Sequence, residues 1–287
     1  MRLKHARVTI VGLGLMGGSL AAALKAGQAC LEVQGVARRP ETIAEALARG
    51  FIDTGTLDLA AGVRESDIVV LATPVRATME LIPRLGPFLS PGCLLMDVGS
   101  TKAAIVETMQ RLPAPVQPLG GHPVCGKETS GIEAADANLY RAAAFVLSPL
   151  PRTSPEALAL ARELVDAVGA WPLIMDAHRH DRLLAVVSHL PYLLSLGLVA
   201  TAEELAQGDG MVWDVAASGF RDTSRLACSD VRMMLDILLT NREAAGEMLS
   251  RFREKLDGLQ RLLDSEDEQA LQQMMEAAQR RRRGMFQ

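Results

Sequence analysis

Val8-Thr-Ile-Val11-Gly12-Leu13-Gly14-Leu15-Met16-Gly17 is the stretch on which the fold of this chain turns. Four apolar, largely β-branched residues read as a buried strand. Glycines follow at once, and an alanine-rich apolar helix is expected over residues 16–26. A G-x-G-x-x-G between strand and helix is the phosphate-cradling turn of a βαβ unit. The first glycine allows the tight turn, the second lets the backbone approach a pyrophosphate, and the third lets the helix pack closely. The helix amides then face the phosphates. A glycine-rich turn without a ligand is the plainer alternative. Gly12, Gly14, Leu15, Met16 and Gly17 are the first candidate cofactor contacts.

Outward from this turn, short apolar runs alternate with helical patterns, which predicts a mostly parallel sheet with crossover helices. Strands are expected at residues 33–37, 68–72, 93–98, 116–119, 144–147 and 171–175, with helices at 41–49 and 155–168. Beyond about residue 176 the strand pattern ceases. Helices are expected at 179–204, 229–239, 242–263 and 266–281, the last opened by a capping box at Ser265-Glu266-Asp267-Glu268. The expected fold class is therefore α/β: a Rossmann-type dinucleotide-binding domain over residues 1–175, followed by an all-helical domain over 176–287.

The composition narrows the function. With 49% hydrophobic and 22% charged residues, the chain has the make-up of an ordinary soluble globular protein. Only 3% aromatics and a net charge of −4 argue against a nucleic-acid partner. Cys30, Cys93, Cys125 and Cys228 are scattered without a CxxC pair, which suits reduced thiols in the cytoplasm. Residues 183–202 contain no Asp, Glu, Lys or Arg and are long enough to cross a bilayer. Ser188, His189, Pro191, Ser195 and Gly197 favour instead a helix buried at the centre of the helical domain or at a subunit interface. Pro191 should bend it and free a carbonyl near Val187.

At the end of the second strand, where an NAD enzyme offers a carboxylate to the ribose 2′-hydroxyl, stands Ala37, followed by Arg38 and Arg39. Two guanidiniums suit a 2′-phosphate, so NADP is favoured and NAD remains possible. Solvated loop charges are the alternative. Thr73, just past the strand at 68–72, joins the cofactor candidates.

Further motifs follow in order: Asp97-Val-Gly-Ser-Thr-Lys102, Gly121-His-Pro-Val-Cys-Gly-Lys-Glu-Thr-Ser-Gly131, Val187-Ser-His-Leu-Pro191 and Gly219-Phe-Arg-Asp-Thr-Ser-Arg225. With the glycine loop they resemble the prephenate/arogenate dehydrogenase family of tyrosine biosynthesis, over nearly the whole chain. The resemblance implies oxidative decarboxylation of prephenate, with arogenate as the alternative substrate, in a homodimer joined through the helical domain. It implies His122 as the catalytic histidine and Ser100 as its hydrogen-bonding neighbour near the nicotinamide. A neutral imidazole has the right basicity for such a task. Ser100 could equally cap the helix starting near Ala103. The resemblance further implies that Arg225, His189 and Glu128 meet the substrate. Taken alone, Arg225 could be a surface salt bridge and His189 a core histidine. No metal is expected, since His178 and His180 lack ligand spacing and hydride transfer needs none. With the chain ending at Gln287, any feedback by tyrosine is expected at the active site. The rival functions are a β-hydroxyacid-type dehydrogenase and a non-catalytic NADP sensor.

Overall fold

A computed structural model describes residues 1–285. One sheet contains β1 (Arg7–Val11), β2 (Glu32–Val36), β3 (Thr54–Thr56), β4 (Ile68–Leu71), β5 (Leu94–Asp97), β6 (Gln117–Pro123), β7 (Ala144–Pro149) and β8 (Trp171–Ile174). Their spatial order is 3-2-1-4-5-6-7-8. Strands β1 to β6 are mutually parallel, β7 is antiparallel to β6, and β8 runs parallel to β7. The chain reverses its direction of winding between β1 and β4, which opens a crevice at their carboxyl ends. Gly12, Thr73, Ser100 and His122 lie at or just past the carboxyl ends of β1, β4, β5 and β6, neighbours in the sheet.

Six helices accompany the sheet: α1 (Leu15–Ala26), α2 (Pro40–Ala48), α3 (Leu59–Val63), α4 (Val75–Leu85), α5 (Ala103–Met109) and α6 (Pro155–Ala167). β4 and β5 are wholly buried, as strands covered on both faces must be. Every strand expected from the sequence is present. β3, with the sequence Thr-Gly-Thr at the sheet edge, carries no hydrophobic pattern to announce it.

The remainder is helical: α7 (Ala177–Leu184), α8 (Leu190–Ala206), α9 (Met211–Asp214), α10 (Ser218–Ser224), α11 (Val231–Thr240), α12 (Arg242–Asp264) and α13 (Glu268–Arg283). Two expectations need correction here, and a third, burial at the centre of the helical domain or at a subunit interface, loses its first alternative. The single helix over 179–204 is two helices joined by a π-helical turn, Ala185–His189, in which the Leu190 amide bonds the Ala185 carbonyl. Pro191 has no amide hydrogen for the carbonyl of Val187, and the wider turn absorbs the mismatch. α13 is capped by Asp267, whose carboxylate accepts from the Ala270 amide 3.0 Å away, while Ser265 ends α12. Finally, the uncharged stretch is not enclosed by its own chain. Of α8, only Tyr192 and Ser195 are buried.

Candidate active site

The glycine loop fits a dinucleotide. Gly12 has a φ of +98°, and a Cβ there would lie 2.6 Å from the Ala72 carbonyl oxygen. A Cβ on Gly17 would overlap the Gly12 oxygen at 1.8 Å, so the helix can approach the turn only without one. A Cβ on Gly14 would meet nothing within 4 Å, leaving that side of the backbone open where a pyrophosphate would lie. Gly14 precedes Leu15 and Met16 in the opening turn of α1, and the Tyr140 hydroxyl donates to the Met16 carbonyl at 2.7 Å. Arg38 and Arg39 are exposed just past β2. The Thr73 hydroxyl pairs with that of Thr78 at 2.8 Å.

Beside this loop lies a connected buried network. Asp97, at the end of β5, accepts from the Gly99 amide at 2.7 Å and the Gly121 amide at 3.0 Å, and it pairs with the Lys102 ammonium. Both side chains of the ion pair are fully buried. A Cβ on Gly121 would sit 2.4 Å from the Asp97 carbonyl oxygen, so glycine lets β6 close on β5. The carboxylate thus fixes the backbone just before Ser100 and just before His122. Burial pulls the Lys102 pKa down, opposed by Asp97 and then Asp181.

His122 Nδ1 lies 2.8 Å from His180 Nε2, and His180 Nδ1 lies 2.7 Å from an Asp181 carboxylate oxygen. A carboxylate only accepts, so His180 donates to it from Nδ1. In neutral His180 that leaves Nε2 as acceptor, and His122 must donate from Nδ1. The Nε2 of His122 is then bare. Burial pushes the His122 pKa well below the ordinary histidine range, and His180, Lys102 and His189 add to the shift. His122 is therefore a neutral imidazole at pH 7 with its lone pair free.

Asp181 does more than orient His180. Its two oxygens accept from the Lys102 and Ala103 amides, at 2.7 and 2.9 Å, and so cap α5. That corrects the expectation for Ser100, which does not cap this helix. Among the described residues no hydrogen bond joins Ser100 to His122 either, and the partner of the imidazole Nδ1 is His180. His189, buried in the π-helical turn, receives the Asn241 amide at 3.1 Å on Nδ1, and desolvation lowers its pKa to about 4. Arg225 and Glu128 are brought together as an exposed ion pair, so the salt-bridge alternative for Arg225 is present in the structure.

Residues 20–172 match the family described as prephenate dehydrogenase, nucleotide-binding domain, and residues 176–277 match prephenate dehydrogenase, dimerization domain. The chain belongs to the prephenate dehydrogenase family. It is an oxidoreductase with a nicotinamide-nucleotide fold. A prephenate dehydrogenase of Lactococcus lactis is 36% identical over 283 residues, covering 97% of this chain and 77% of the relative. The crystal structure of prephenate dehydrogenase from A. aeolicus, in complex with hydroxyphenyl propionate and NAD+, superposes with a TM-score of 0.91 at 31% identity, covering 98% of both chains. A Synechocystis arogenate dehydrogenase structure gives 0.84, also at 31% identity, covering 97% of this chain and 99% of that one.

The family resemblance pointed to His122 and His189 but not to the residues that hold them. His180 and Asp181 are adjacent in the chain, and the only local signal was that pair at the head of a helix. Asn241 lies 52 positions from His189, with no periodicity to connect them.

Proposed function

We propose that this chain is a prephenate dehydrogenase that oxidatively decarboxylates prephenate to 4-hydroxyphenylpyruvate, with NADP preferred to NAD. The observation that carries the reading is the bare Nε2 of His122, held in place by His180 and Asp181 at the carboxyl edge of the sheet beside the glycine loop. When bound, the oxidised nicotinamide accepts the hydrogen and electron pair from the ring carbon that bears the 4-hydroxyl.

As that carbon loses hydride, its hydroxyl becomes strongly acidic. His122 Nε2 takes the proton while the C–O bond gains carbonyl character. The bond to the ring carboxylate then breaks, carbon dioxide leaves, and its electron pair makes the ring aromatic. His122 returns the proton to the phenol oxygen, so no net proton has to leave the buried site. The acceptors behind His122 stabilise its cationic form for this interval, His180 through its lone pair and Asp181 through its charge.

We assign the substrate's carboxylates to Arg225, which can bind one through two parallel bonds. Glu128 and His189 are the further substrate contacts, and Ser100 faces the nicotinamide side. Gly12, Gly14, Leu15, Met16, Gly17 and Thr73 hold the cofactor. Support for NADP comes from Ala37 in the ribose position and from exposed Arg38 and Arg39 beside it. We place the domain boundary at residues 175 and 176, between the end of β8 and the start of α7. The exposed apolar surface of α8 and the family description of the second region support a homodimer. A biosynthetic enzyme with free thiols fits the cytoplasm.

The test is the initial rate with prephenate and with arogenate, each against NADP and NAD, followed by absorbance of the reduced nicotinamide. Prephenate with NADP should be the fastest pair. His122→Asn should lower kcat/KM by about 10²- to 10⁴-fold while leaving NADP affinity unchanged. Absence of turnover in all four combinations from a folded, cofactor-binding protein would defeat the assignment.

A further inference from the structure

The two site histidines are held in opposite ways, and the second arrangement concerns recognition. Asn241 is buried between α11 and α12. Its amide nitrogen reaches the backbone carbonyl oxygen of Asp181 at 2.8 Å and His189 Nδ1 at 3.1 Å. A backbone carbonyl can only accept, which fixes the nitrogen, not the oxygen, of the Asn241 amide on that side. The same NH₂ therefore presents its second hydrogen to His189 Nδ1. An imidazole that accepts at Nδ1 carries its hydrogen at Nε2.

We propose that Asn241 is a positioning residue that locks His189 as an Nε2–H donor, so that this histidine recognises a carboxylate or carbonyl oxygen of the substrate. The proposal rests on the reading of this site as one for prephenate. It gives the two histidines complementary tasks: His122 offers a lone pair and His189 offers a hydrogen. Both arrangements run through Asp181, whose carboxylate orders His180 and whose backbone oxygen orders Asn241.

The groups facing His189 are consistent with a neutral donor. Asp181 favours its charged form, but burial and His180 disfavour it, and His122 is coupled to it as well. Replacing the amide by a carboxylate should reverse the lock. In Asn241→Asp the new side chain can only accept, so His189 must carry hydrogen at Nδ1. At low pH the ring is then an imidazolium, which still donates from Nε2. At higher pH it becomes a neutral ring with a bare Nε2 facing the substrate oxygen.

The experiment is steady-state kinetics on prephenate with NADP from pH 6 to 9, combined with ¹⁵N NMR of histidine-labelled protein. In the wild type, the His189 signals should show Nε2 protonated and Nδ1 bare. In Asn241→Asp the pattern should reverse, with KM rising about tenfold across this range and kcat changing much less, as expected for a lost charged hydrogen bond. Asn241→Ala should raise KM by a similar amount at every pH. A wild-type His189 protonated at Nδ1 would overturn the proposal even if neither variant folds. So would a KM in Asn241→Asp that follows the wild type at every pH. Lack of prephenate turnover by the wild type would instead defeat the substrate assignment and leave the NMR result standing.

Discussion

The nucleotide half and the helical half bury their residues differently. Around the sheet, two large clusters enclose β4 and β5 completely, and even an ion pair, Lys102 with Asp97, is fully dry. In the helical half the buried cluster consists of Tyr192, Met234 and Ile237, α12 buries only Ala245, and α13 buries nothing. Several of its polar groups reach across to the other half. Asp181 caps α5, Asp236 receives the Arg76 amide and side chain, and Thr240 meets Thr101. The first half is thus a self-contained core, and the second is a layer fastened to it along the site. The apolar surfaces the helical half leaves open include Val187, Leu196, Val231 and Leu239, and the proposed homodimer would cover them.

The contrast is sharpest at charged pairs. Lys102→Met removes the cation paired with the fully buried Asp97, and the stranded carboxylate should cost about 3–5 kcal/mol. Arg251→Met, in the exposed pair with Glu247 on α12, should cost less than about 1 kcal/mol. Urea unfolding of both variants makes the comparison. Equal losses would show that the two halves do not differ as described.

A second test targets the open face. Leu196 is 38% exposed in the single chain, so Leu196→Asp should leave each chain folded. If a second copy covers α8, the buried carboxylates should weaken the dimer by at least about 3 kcal/mol, over a hundredfold in Kd. Sedimentation at micromolar concentration should show a dimer for the wild type and a monomer for the variant. An unchanged mass would place the interface elsewhere.

The same contrast explains what the sequence could reveal. Strands buried on both faces, such as Ile68–Leu71, are continuous apolar runs between turn residues, and these are legible locally. His122 was legible because it stands in a loop with a distinctive motif. The residues that set its tautomer were not. His180 is 58 positions away, and its role exists only after α7 docks on β6. The cap of α5 was misread for the same reason. Ser100 stands just before the helix in sequence, but a carboxylate 79 positions past Lys102 and 78 past Ala103 accepts from both amides. For α8 the apolar pattern was read as a surface needing cover, yet a pattern cannot say which chain would provide it.

Acid should loosen the seam by a smaller, graded amount. His189 has a folded-state pKa near 4, whereas an unfolded histidine titrates near 6.5. Between those values the unfolded chain binds a proton that the folded chain refuses. This contribution to stability is therefore complete above about pH 6.5 and is lost as pH falls toward 4, by at most about 1.4 kcal/mol per pH unit. His122 is shifted in the same direction and adds to the effect. Urea midpoints measured from pH 7.5 to 4.5 should stay level down to about pH 6.5 and fall below it, and His189→Gln should flatten that fall, since glutamine has no proton to gain. For activity the sign is the same but the window differs. His122 acts as a base only when neutral, and its lowered pKa keeps it so well into acid, so kcat/KM should hold its plateau below pH 6.5. Stability would then begin to decline at a pH where the catalytic base is still competent. A kcat/KM that falls with an apparent pKa of 6.5 or above would mean that His122 is solvated and not backed by His180 and Asp181.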